Sequence, residues 1–131
     1  MKLYSFDIDE TLEISNGPVK LQSLVELKQQ GHIVGLCGNW GLFTRVVQNW
    51  HSVISFMNVV PEYWTNGRRA DKSDFLSLLK TYVPADEYIH VGNIQGEKNM
   101  LGFVCHSNDS EPANAAGFRF IKEDDFAKGV R

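Results

Sequence analysis

Asp7 and Asp9 stand two residues apart at the end of an apolar run, in the stretch Phe6-Asp7-Ile8-Asp9-Glu10-Thr11-Leu12. Carboxylates at that spacing repel each other unless a cation is bound or one proton is shared. Acids also mark ordinary strand ends and turns, but two of them followed by Thr11 and Leu12 point to a site. The other residues that stand just after expected strands are Gly38 and Asn39, the stretch 68–72 with its Arg and Lys, and Asn93 with the loop around Asp109.

The spacing of apolar residues supplies the elements that must position these groups. Residues 2–9 and 32–37 read as buried strands, 56–60 as a short third strand, and 87–91 and 118–121 as two more. Leu21, Leu24, Val25 and Leu27 predict a helix over 19–30, stopped by Gly31. Leu42, Phe43, Val46, Val47 and Trp50 predict one over 42–53. Phe75, Leu76, Leu78 and Leu79 predict another over 71–82, capped by Asp71 or Ser73. Short helices follow at 111–116, ended by Gly117, and at 123–128. Asn16-Gly17-Pro18 and Asn66-Gly67 are turn sequences, the latter within an irregular polar stretch over 61–70. Strands alternating with helices predict an α/β three-layer sandwich with a mainly parallel sheet, whose ligand sits beyond the carboxyl ends of the strands. The chain reads as one domain over 1–131, with no internal repeat or linker.

The sequence resembles the haloacid dehalogenase superfamily of aspartate-nucleophile phosphotransferases. Its first motif, Asp-x-Asp-x-Thr after a hydrophobic strand, is matched by Asp7, Asp9 and Thr11, and the likeness extends over about 3–121. The resemblance implies a Rossmann-like fold in which Asp7 attacks a phosphoryl group to give an aspartyl-phosphate. Asp9 would protonate the leaving alcohol and then deprotonate the water that clears the intermediate. Mg²⁺ would be held by Asp7 and the Asp9 backbone carbonyl. Thr11 belongs with the substrate-binding residues on the same resemblance.

The second motif normally carries Ser or Thr at the end of the next strand; here Gly38 stands in that place. Asn39 offers an amide donor, and the Gly38 and Asn39 N–H groups would cradle phosphate, unless Gly38-Asn39 is a plain turn. The third motif is a lysine before a helix, matched by Lys72, with Arg68 and Arg69 as the other candidates. The fourth is an acidic loop; Asn93 replaces its first acid, and Asp109, eight residues before Gly117, matches its end. The residues between, 94–108, read as an insertion. The metal set implied is thus Asp7, Asp9, Asn93 and Asp109, with Glu97 as a less favoured substitute for the missing charge.

Both gaps between motifs are too short for the cap domain many family members carry, which implies an open site. The expectation is a capless, Mg²⁺-dependent phosphomonoester hydrolase acting on a large or openly accessible phosphorylated substrate, macromolecular or small. The competing reading is a binding module of the same fold that keeps the Asp pair without efficient turnover, as Gly38 and Asn93 would favour. Phosphotransfer to another acceptor uses the same residues.

Composition narrows the remaining classes. The chain has 13 Lys and Arg against 16 Asp and Glu, a net charge of −3, which does not suggest nucleic-acid binding. The two cysteines are too few for a secreted disulfide framework, and no apolar stretch approaches a membrane span, so a cytoplasmic protein is expected, with oligomerisation left open. The four histidines lack zinc-like spacing with Cys37 and Cys105, and the segment from Gly92 to Lys98 lacks the Gly-Lys-Ser/Thr core of a phosphate loop.

Overall fold

The computed structural model describes residues 1–59, 65–68 and 70–131. Four strands, β1 (Lys2–Phe6), β2 (Ile33–Leu36), β3 (Glu87–Gly92) and β4 (Arg119–Lys122), form an all-parallel sheet in the order β2-β1-β3-β4. Strands buried on both faces read as mostly apolar runs, which is why β1, β2 and β3 were visible in the sequence.

The helices are α1 (Leu21–Gln29), α2 (Trp40–Val46), α3 (Trp50–Val53), α4 (Lys72–Tyr82), α5 (Ser110–Ala115) and α6 (Glu123–Ala127). Right-handed crossovers dictate their sides. The step from β1 to β2 runs one way along the sheet and the steps to β3 and β4 run the other, so α1 and α4 must lie on opposite faces. Two cores result. Tyr4 and Phe6 pack with Leu24, Leu27, Phe43 and Phe126 from α1, α2 and α6. Leu3, from the alternate face of β1, packs with Phe75, Leu76, Leu79 and Ala113 from α4 and α5. The chain departs from β1 and β3 in opposite directions, which opens a crevice at their carboxyl ends, where doubly wound sheets bind ligands.

Local signals explain most boundaries. Gly31 at φ +90° ends α1, and Gly117 at φ +76° follows α5. Asp71 caps α4 in a reciprocal capping box with Asp74.

Three segments differ from expectation. The helix expected over 42–53 is divided into α2 and α3, because Asn49 adopts a left-handed φ of 58° between them. Asparagine tolerates that conformation, and a helical stripe does not reveal it. In place of a strand over 56–60, Phe56 makes a single parallel bridge to Gly35. Its ring fills the space above the glycine, where a Cβ would lie 2.4 Å from the ring carbons. With Phe56 as an edge position, the order runs as in Rossmann-type sheets. Val60, residues 61–64 of the polar stretch, and Arg69 lie outside the described residues. The expected turn is present, with Asn66 at φ 54° and Gly67 at φ 79°. The 94–108 excursion is folded back on itself, with Asn99 N–H donating to Phe103 O at 2.9 Å and Cys105 N–H to Glu97 O at 2.8 Å. Among the described residues no helix is long and apolar enough to cross a membrane.

Candidate active site

The two-residue period of the strands decides which polar groups meet. Ser5 sits opposite His90 in the β1–β3 register, on the sheet face that α4 and α5 cover. Lys72 opens α4 and Asp109 immediately precedes α5, so both helices deliver polar residues to the same sheet edge.

Lys72 Nζ donates to Asp7 Oδ1 at 3.1 Å and to Asp109 Oδ1 at 2.5 Å. Asp109 Oδ1 also meets His90 Nε2 at 3.0 Å, and its Oδ2 accepts from the Asn93 N–H at 2.8 Å. His90 Nδ1 lies 3.0 Å from Ser5 Oγ. An ionised carboxylate only accepts, so it is His90 Nε2 that donates to Asp109 Oδ1. Ser5, His90, Asp109, Lys72 and Asp7 thus form one buried chain of hydrogen bonds.

Two acids share one ammonium in this chain, and their surroundings separate them. Burial opposes ionisation of Asp109, yet contacts with His90 and Lys72 outweigh it and hold this carboxyl well below the ordinary value. Asp7 is pushed up to about 7, first by burial and then by the negative charge of Asp109, with Lys72 and the Ile8 N–H offsetting only part. Burial also opposes the charge on Lys72, but the flanking carboxylates more than restore it.

A cleft of about 1050 Å³ opens above this chain, with Asp7, Asp9 and Lys72 among its lining residues and Asn39, Trp40, Asn58 and Arg68 along its walls. Asp9 is held by the Ser15 hydroxyl at 2.7 Å and by the Asn39 amide at 3.4 Å. Asn39 Oδ1 in turn caps α2 by accepting from Leu42 N–H at 3.4 Å. Gly38 is required by the close approach of the first carboxylate, because a Cβ there would lie 2.4 Å from Asp7 Oδ1.

A divalent cation fits this chemistry through oxygen donors. Asp7 Oδ2 and Asn93 Oδ1 are buried acceptors without a hydrogen bond among the described residues, as are Thr11 Oγ1 and Glu123 Oε2. Such acceptors are costly to leave unmatched, and a hard cation satisfies them. No group of three or more His, Cys, Asp or Glu is arranged around a metal position among the described residues. Mg²⁺ would therefore draw on Asp7, an amide oxygen, backbone carbonyls and retained water.

Some expected residues stand elsewhere. Thr11 is fully buried and is not among the residues lining the cleft, and its Oγ1 has no hydrogen bond among the described residues. The tight turn in which Ile8 O accepts from the Thr11 and Leu12 N–H groups carries it inward. Asp109, expected among the metal ligands, has both oxygens engaged by Lys72, His90 and the Asn93 N–H. The Gly38 N–H donates to Asn58 Oδ1 at 2.9 Å and is not available to cradle phosphate. Arg68 pairs with Asp74 at 2.9 Å and Glu97 with Lys122 at 3.3 Å, while Lys72 is the cation that reaches Asp7.

Sequence reasoning missed His90, Ser5 and Asn58. A polar residue in each of two otherwise apolar strands was the available signal for the first pair; Asn58 gave none. Comparison of the chain with protein-family models, curated proteins and solved structures finds no match.

Proposed function

We propose that the protein is a Mg²⁺-dependent phosphomonoester hydrolase of the capless haloacid dehalogenase type, with Asp7 as its nucleophile. The observation that carries this reading is a buried carboxylate, bonded to Lys72 and beside Gly38, at an open cleft that also holds Asp9. Asp7 Oδ1 attacks phosphorus, and the ester P–O bond breaks as Asp9 gives its proton to the departing alcohol. Asp9 then takes a proton from water, whose oxygen attacks the aspartyl-phosphate, releasing phosphate and restoring Asp7. Lys72 balances charge as the phosphoryl group passes. Bound Mg²⁺ would offset the repulsion between Asp7 and an anionic substrate, held by Asp7 Oδ2, the Asp9 carbonyl and Asn93 Oδ1. The cleft is at the upper end of the range of about 300–1,000 Å³ usual for ligand sites, which suits a large or openly presented phosphate ester.

The test is hydrolysis of an aryl phosphate with and without Mg²⁺. Wild type is expected to turn over only with the metal, Asp7→Asn to be inactive, and Asp9→Asn to lose about 10²–10⁴-fold. Activity that survives Asp7→Asn overturns the assigned nucleophile. A second reading, phosphate-ester binding without turnover, is favoured by one observation: the Gly38 N–H is already engaged by Asn58, and Gly38 brings no hydroxyl. Binding of a phosphopeptide by wild type, with no phosphate released, would decide for it.

A further inference from the structure

The reduction of the expected third strand to one bridge leaves its mark beside the nucleophile. Residues 55–56 begin a parallel ladder on the outer edge of β2: Ser55 N–H donates to Val34 O at 2.7 Å and Leu36 N–H to Phe56 O at 3.0 Å. One period further along, a continued parallel strand would bring the Gly38 N–H to the main-chain carbonyl of Asn58. The chain turns away there, with Val59 N–H donating to Met57 O at 2.8 Å. Asn58 offers its side chain in place of that carbonyl, and Gly38 N–H donates to Oδ1 at 2.9 Å. A backbone N–H only donates, so the atom facing Gly38 is the amide oxygen, and Nδ2 is turned elsewhere. Asn58 is half-buried and lines the same cleft as Asp7 and Lys72, and its Nδ2 makes no hydrogen bond among the described residues. Gly38 itself stands against the nucleophile, since a Cβ there would lie 2.4 Å from Asp7 Oδ1. The other asparagine of the cleft is already engaged: Asn39 Nδ2 faces Asp9 at 3.4 Å and its Oδ1 accepts from Leu42 N–H.

We propose that Asn58 is a catalytic residue supplying the phosphoryl-oxygen donor that Gly38 lacks. Its Oδ1 is held on the Gly38 N–H, and its Nδ2 donates to a non-bridging oxygen of the phosphoryl group as that group passes to Asp7. The inference rests on the aspartyl-phosphate reading of the site. Donation from Gly38 N–H polarises the amide and strengthens Nδ2–H as a donor. Charge spreads over the equatorial oxygens during phosphoryl transfer, and a donor already fixed in place needs no reorganisation to meet it. The donor and its anchor come from a segment 20 residues beyond Gly38 in the chain, so the side chain replaces the missing hydroxyl from across the cleft edge.

The experiment is steady-state hydrolysis of an aryl phosphate and an alkyl phosphate by the full chain with Mg²⁺. Orthovanadate binding is measured by calorimetry in parallel, because its trigonal-bipyramidal adducts resemble phosphorus in transfer, and thermal unfolding confirms that each variant folds. Asn58→Ala is expected to lower kcat about 10²–10³-fold, by the same factor on both esters, and to weaken orthovanadate binding. A donor to non-bridging oxygens is indifferent to the leaving group, whereas a disturbed Asp9 would spare the aryl ester. Asn58→Asp keeps an oxygen for the Gly38 N–H but has no donor, and is expected to fall at least as far. Turnover close to wild type for either variant overturns the role. A rise for Asn58→Ala also overturns it, and shows a side chain that only blocks the Gly38 N–H. A loss confined to the alkyl ester overturns it in favour of an effect through Asp9. Wild type that binds orthovanadate but releases no phosphate overturns the hydrolase reading alone; equal orthovanadate affinity in Asn58→Ala then overturns the role of Asn58. Wild type that neither binds orthovanadate nor releases phosphate overturns both.

Discussion

Asp7→Asn replaces a buried acid by a neutral group of the same shape, leaving Lys72 and Asp109 as a balanced pair. In the folded protein Asp7 holds its proton until about pH 7, whereas the unfolded chain releases it near the ordinary value of 3.8. Between those values the native state binds more protons than the unfolded state, so the contribution of Asp7 to stability falls as pH rises. Each pH unit in that window is worth about 1.4 kcal/mol, so the cost of ionising Asp7 in the metal-free protein grows from roughly 1–2 kcal/mol at pH 5 to about 4 kcal/mol above pH 7. Asparagine does not incur it. Urea denaturation in the presence of a chelator, at pH 5, 6.5 and 8, should show Asp7→Asn more stable than wild type by a margin that widens with pH and levels off above 7. Added Mg²⁺ should narrow the margin, because it binds the native wild-type carboxylate and stabilises that state by mass action. A margin that is flat with pH, or a less stable variant at pH 8, would refute the placement of the proton on Asp7.

Lys72→Met leaves Asp7 and Asp109 buried without their shared cation, and should cost about 3–5 kcal/mol at pH 8, measured by urea denaturation, with part recovered at pH 5 as Asp7 takes up a proton. Gly38→Ser restores a hydroxyl but places Cβ 2.4 Å from Asp7 Oδ1; steady-state kinetics on an aryl phosphate should show lower turnover, and a gain would contradict the crowding described. Asp71→Ala removes the side chain that accepts from Asp74 N–H at 2.9 Å, which should cost about 1 kcal/mol in chemical denaturation.

Much of the fold was legible because its signals are local. β1 and β3 are mostly apolar and read as strands without any partner, and Gly31, Asp71 and Gly117 mark helix ends through their own backbone preferences or capping chemistry. The interruption at Asn49 was not legible, since Val46, Val47 and Trp50 continue the helical stripe across it. Nor was the reduction of 56–60 to one bridge, which depends on the Phe56 ring lying over a glycine in β2.

The candidate site divides in the same way. Asp7, Asp9 and Lys72 could be named from type and position along the chain, and all three line the cleft. The surroundings of Thr11 and Asp109 were not legible, because spacing does not say which way a side chain turns once its loop closes. His90 went unnoticed because a histidine in an apolar strand has meaning only through its register with Ser5 and its approach to Asp109.

The sequence by itself determined the alternation of elements, the pair of acids at the end of β1, and a lysine at the start of α4. Only the tertiary structure decided how charge and protons are shared among them. Lys72 lies 65 residues from Asp7 and 37 from Asp109 along the chain, yet bonds to both. Burial and the charge of Asp109 push the Asp7 carboxyl up to about 7, while His90 and Lys72 hold Asp109 below its ordinary value, because desolvation and hydrogen bonding act across space and leave no trace in residue order.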